Sequence, residues 1–146
     1  SLWENSKRHS NIFTSLIGKL TSGMLNMQAL SMRKAGKTSQ AIYTYEKAMR
    51  ADPGNGTILN AIADCFISEG QTWNAIKILE GVPLIDNKDF ASLKKLAGLY
   101  RGMENYDKAR AYYSAALKAN PNDMEAEHGI KELDAIKTLK GNFENQ

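Results

Sequence analysis

The chain has 146 residues, 42% of them hydrophobic and 24% charged, with a formal net charge of +3. That balance describes an ordinary globular chain and excludes disordered, collagen-like and membrane-embedded classes; no window approaches the roughly 18 unbroken apolar residues a membrane span needs. A single cysteine, Cys65, excludes an internal disulfide or a cysteine metal site and fits a reducing compartment, so a cytoplasmic location is expected. The chain starts at Ser1 rather than Met, as a piece cut from a longer protein would, and a targeting signal would then lie outside it.

Residues 1–21 read as an amphipathic helical lead-in, because Ile12, Phe13, Leu16, Ile17 and Leu20 form a wide apolar face at helical spacing. That face needs a cover. Either it packs on the outer surface of the helices that follow, or it is a seam for self-association or for an upstream part of the parent protein, and Trp3 shares the ambiguity. Residues 1–50 carry eight basic side chains against Glu4 and Glu46. They are scattered and lack interleaved aromatics, so nucleic acid is not an expected partner.

Residues 22–123 hold a repeat with a period of 34, divided as 22–55, 56–89 and 90–123. Gly36, Ala41, Tyr45, Ala48 and Pro53 slide onto Gly70, Ala75, Leu79, Val82 and Asn87, then onto Glu104, Ala109, Tyr113, Ala116 and Pro121. Upstream of each set, Leu25, Leu59 and Leu93 align, as do Ala29, Ala63 and Ala97, and Met32, Phe66 and Tyr100, without a gap. Each copy reads as two helices. The first carries a face at i, i+4, i+7; Gly36 or Gly70 then closes it, and the second starts again at once and is stopped by Pro53 or Pro121. A connection of about three residues forces the pair antiparallel, and facing alanines let the axes approach. Pro83 and Gly81 predict that the second helix of the middle copy ends a few residues early.

Continuing the period puts Glu127, Lys131 and Asp134 where apolar residues are required, so a fourth copy is not expected. Residues 124–140 still read as a capping helix, with Asp123 at its N-terminus and Ile130, Leu133, Ile136 and Leu139 as an apolar stripe. Residues 141–146 are expected to fray.

With these residues in place the pattern resembles the tetratricopeptide repeat, whose signature runs large apolar, small, large aromatic, then Ala, aromatic, Ala and Pro. The resemblance covers residues 22–123; Gln28, Glu104 and Asn87 depart from it. It implies an all-α fold, a right-handed superhelical stack of antiparallel helical hairpins of the α-solenoid type. It also implies a concave side lined by a second stripe of the first helices, here Asn26, Leu30 and Arg33, then Asn60, Asp64 and Ile67, then Lys94, Gly98 and Arg101. Such grooves commonly hold an extended or helical peptide. Asn26 and Asn60 offer a donor and an acceptor to a peptide backbone, and three cations against Asp64 lean the stripe towards an acidic segment or a free carboxylate. The positions that would clamp a chaperone's carboxyl terminus hold Asn26, Leu30, Ala61, Ala91 and Lys95; only Lys95 keeps the required charge, so that ligand is not expected.

Signals for chemistry are weak. His9 and His128 have no His or Cys at ligand spacing, so no metal or other cofactor is expected, and Cys65 beside Phe66 reads as small core filler. Ala35-Gly36-Lys37-Thr38 imitates the end of a phosphate loop but has Ser31 where a glycine is needed and a helix where a strand is needed. Asn55-Gly56-Thr57 is a glycosylation sequon, meaningful only in a secreted chain. The expected function is a noncatalytic protein-interaction scaffold or adaptor that binds a partner in the groove. The alternative is an assembly or regulatory domain of a larger protein, such as bacterial signalling, secretion or pilus machinery, that forms a homodimer or docks through the lead-in.

Overall fold

The 34-residue period survives in the ends of the helices themselves. A computed structural model describes residues 1–85 and 89–145, apart from the side chains of 83–85. It contains α1 (Leu2–Lys34), α2 (Thr38–Ala51), α3 (Gly56–Ser68), α4 (Thr72–Ile85), α5 (Phe90–Gly102), α6 (Tyr106–Ala119) and α7 (Met124–Glu144), with no strand among the described residues. α2, α4 and α6 each begin and end one period apart, as do α3 and α5. α4 therefore keeps its full 14 residues, which corrects the early end expected from Pro83. A proline in the last turn forfeits one backbone bond from a helix about to stop, too little to shorten it. Asn87, the departure from the terminal proline, lies outside the described residues.

The turn after each first helix has one geometry. Gly36 and Gly70 adopt φ of 75° and 71°, and Glu104 adopts 59° in the same column. At all three the next residue's N–H reaches back to a carbonyl inside the helix: Lys37 to Met32 at 2.9 Å, Gln71 to Phe66 at 2.8 Å and Asn105 to Tyr100 at 2.9 Å. Glu104 thus accepts a left-handed conformation costing roughly 1 kcal/mol, because the closing bonds over-determine it. The N-caps repeat too: Asn55, Asp89 and Asp123 cap α3, α5 and α7 with side-chain oxygens. The same column one period earlier holds Thr21, which sits inside α1.

The chain forms two compact units, Ser1–Ala75 and Ile76–Gln146. In the first, α1 packs along α2 and α2 along α3. Its core is built from the small columns Ala29, Ala41, Ala48 and Ala63, with Tyr45, Ile58 and Ile62 filling the gaps between helices. In the second, α5 packs along α6 and α6 along α7 around Leu79, Leu96, Ala97, Tyr113 and Ala116. Glu80 ties this unit together by accepting bonds from Tyr100 at 2.7 Å and Tyr112 at 3.1 Å, whose rings stack 5.6 Å apart. Burial first, then the Glu80 carboxylate, pushes the Tyr100 phenol up to about 12.

The two ends differ from the repeats. α1 has no break at residue 21; the lead-in is the N-terminal part of one 33-residue helix, and every residue from 1 to 17 is exposed. The expected packing of this face on the outer surface of the following helices does not occur, because the buried side of α1 is the opposite one. That side carries Gly18, Ser22 and Ala29; a Cβ at Gly18 would stand 2.5 Å from the Ala51 carbonyl oxygen, where α1 passes the end of α2. At the other end α7 continues to Glu144. Ala126, Gly129 and Leu133 are buried on it, Ile130 and Ile136 are half-buried, and Leu139 is exposed. Ala126 continues the buried column of Ile58 and Ser92, and Leu133 that of Cys65, whereas Glu127, Lys131 and Asp134, in the neighbouring columns of Leu59, Ala63 and Phe66, are exposed.

Candidate functional site

The stripe beside the buried face of the first helices falls into two parts, one in each unit. In the first unit Asn26 and Arg33 are half-buried on α1, and Asn60 and Asp64 half-buried on α3. Asn60 Nδ2 donates to the Gly56 carbonyl at 3.0 Å, a bond that uses one of its donors inside its own helix. Arg33 Nη1 lies 3.6 Å from Asp64 Oδ2. On either side of this pair, Leu30 and Ile67 remain 41% and 39% exposed. Beneath it lie Tyr45 and Cys65, both buried. Burial pushes the Cys65 thiol up, the Arg33 charge opposing it and Asp64 and Glu69 adding to it. A thiol held protonated in this way is a packing group rather than a nucleophile at neutral pH.

In the second unit the stripe is tied to α7. Lys94 Nζ reaches Asp123 Oδ2 at 2.9 Å and Glu125 Oε2 at 2.7 Å, and Arg101 pairs with Glu132. Glu125 and then Asp123 raise the Lys94 ammonium above its ordinary value. Asp123 is held below the usual carboxylate range, first by the N–H of Ala126 and next by Lys94. Gly98, between the two cations, is exposed, and a Cβ there would meet nothing within 4 Å.

The three cations behind the acidic preference expected from sequence are ion-paired within the chain. Arg33, Lys94 and Arg101 each have an acidic neighbour. The sequence reading counted Asp64 alone and missed Asp123, Glu125 and Glu132. A signal for two of them was present: Arg33–Asp64, Lys94–Glu125 and Arg101–Glu132 share one separation of 31 residues, a period less one turn. That offset sets a residue on one first helix beside the residue one turn back on the next.

The lead-in residues Ile12, Phe13, Leu16, Ile17 and Leu20 are all exposed on one face of α1. Elsewhere, a cleft of about 680 Å³ opens between the start of α6 and the second half of α7, where Arg110 spans it to Asp134 at 2.8 Å. Among the described residues no group of three or more His, Cys, Asp or Glu could hold a metal ion, and no helix is long and apolar enough to cross a membrane.

Short helix pairs on one period, with a solvent-facing stripe on their first helices, define the class: an α-helical repeat protein. Tetratricopeptide repeat profiles match residues 32–100 and 90–130, and the chain belongs to the tetratricopeptide repeat family. It is 30% identical over 107 residues to DnaJ homolog subfamily C member 3 of Bos taurus, covering 70% of this chain and 21% of that protein. The chain thus spans about a fifth of the length of the curated relatives it matches first. Among solved structures it resembles the first tetratricopeptide domain of Spaghetti (RPAP3) bound to the HSP90 peptide SRMEEVD, with TM-score 0.73 and 18% identity over 82% of this chain and 95% of that one. A tetratricopeptide repeat protein from Parabacteroides merdae gives TM-score 0.74 and 23% identity, over 86% of this chain and 48% of that one.

Proposed function

We propose that the chain is a noncatalytic module that seats an extended or helical segment of a partner protein against the stripe of its first helices. One observation carries this reading: Leu30 and Ile67, on α1 and α3, stay about two-fifths exposed beside a charge pair that is already matched. Large apolar side chains flanked by half-buried amides suit a ligand that contributes its own apolar anchors and its backbone. Arg33 is matched by Asp64 beside Leu30 and Ile67, so the partner is an apolar-anchored segment and its affinity depends weakly on salt.

Peptides selected from a random displayed library against the whole chain test this. Leu30→Ala and Ile67→Ala are expected to weaken the selected peptides about 10-fold each, at an unchanged thermal midpoint. The peptide SRMEEVD is expected not to bind, since Leu30, Ala61 and Ala91 stand at the clamp positions. Selected peptides insensitive to both substitutions would move the site off this stripe.

A further inference from the structure

We propose that the exposed face of α1 pairs with α1 of a second copy of this chain. Phe13, Ile17, Leu20, Met24 and Met27 follow one another at steps of four, three, four and three residues, the seam spacing of helices that pack lengthwise on each other. All five are exposed, Leu20, Met24 and Met27 by more than 70%. Ile12 and Leu16 flank the seam, which runs roughly 21 Å along the helix at its usual rise. No charged residue lies on it; Lys19 stands at its edge. The buried face of α1, with Gly18, Ser22 and Ala29, is on the other side, so the seam points away from its own unit.

The continuity of the patch fits a dimer seam. Seven large apolar residues, each about half or more exposed, lie together on this face, a contiguous patch of the kind that marks an interface rather than the scattered apolar residues of a monomer surface. The part of α1 before Gly18 also needs a cover to remain helical. It is rich in weak helix formers, with Asn5, Ser6, Ser10, Asn11, Thr14 and Ser15, and a stretch of this length does not hold a helix in water alone.

Self-complementarity selects a second copy over a foreign helix. Laid antiparallel about Leu20, the seam sets Phe13 against Met27 and Ile17 within one residue of Met24, rigid side chains beside thioethers that adapt to them. A two-fold axis makes every such contact twice, and each exposed N-terminal segment lies on the packed part of its partner's α1.

The solution mass of the whole chain, by sedimentation equilibrium from the low micromolar to the high micromolar range, is the test. A plateau at twice the 16.2 kDa chain mass is expected. The double variant Leu20→Glu/Met24→Glu is expected to dissociate at least about 100-fold more readily while its diluted thermal midpoint stays put, because both side chains face solvent in the single chain. Phe13→Ser gives a milder loss, and Ile67→Ala none. A wild-type chain that is monomeric throughout, a mass that climbs past two without a plateau, or a dimer that survives Leu20→Glu/Met24→Glu in folded form would each overturn the proposal.

Discussion

α1 and α7 both outrun the length that the repeat assigns to a first helix, and they spend the excess in opposite ways. α7 turns Ala126, Gly129 and Leu133 inward, where Gly129 leaves room for the face of the Tyr113 ring, and it turns its acids towards Lys94, Arg101 and Arg110. α1 turns Gly18 and Ser22 inward and leaves its large apolar residues outside. α1 is the longer, 33 residues against 21, and the two also differ in the phase of the stripe relative to the face that small residues allow to approach. A small inward face with charges around it closes a domain. A small inward face with an apolar stripe behind it leaves a surface to be used.

Truncating the anchor of each helix gives the largest contrast. Leu133→Ala is expected to lower the unfolding free energy by about 3 kcal/mol in urea titrations, from lost transfer energy and a cavity under α7. Leu20→Ala is expected to change that of the diluted chain by less than about 0.5 kcal/mol. Equal losses at the two sites would mean that the α1 stripe is buried within its own chain. Overfilling comes next. A Cβ at Gly129 would stand 2.6 Å from the Tyr113 ring, so Gly129→Val is expected to cost about 2 kcal/mol and to loosen α7 in hydrogen exchange before the rest of its unit.

The smallest effect is a pH dependence confined to the C-terminal end. The Asp123 carboxyl is depressed in the fold, so its contribution is present above the ordinary value of about 3.8 and is lost as pH falls through the folded value. Helical signal from α7 is expected to fade below about pH 4, and Asp123→Asn, which keeps a cap but removes the charge, should flatten that limb. An unchanged acid limb in Asp123→Asn would assign the titration to other carboxylates.

The fold was largely legible because the small and aromatic columns are covalent facts about shape. Ala29, Ala41, Tyr45 and Ala48 recur at spacings that only paired helices satisfy, and these residues are buried. The closure at Glu104 also followed the period, although its residue type argues against the conformation that it adopts. Local propensity misled at Pro83, where helix-breaking chemistry falls too near the end of α4 to matter. On α7 the apolar stripe of Ile130, Leu133 and Ile136 was legible, and Leu133 is buried and the two isoleucines half-buried. The charge character of the stripe was the least legible part. Lys94 and Arg101 look like free cations in a list of residues, and their partners are distant in sequence; only the 31-residue offset, a property of adjacent helices rather than of either one, brings Glu125 and Glu132 beside them.

Thr21 carries a last consequence. It stands one period before Asn55, in the column whose members cap α3, α5 and α7, yet α1 runs straight through it. The first repeat therefore keeps its own start signal inside a longer helix. A chain cut ahead of residue 21 would keep the Thr21 hydroxyl in position to cap the shortened helix, at the loss of the close approach of Gly18 to the end of α2.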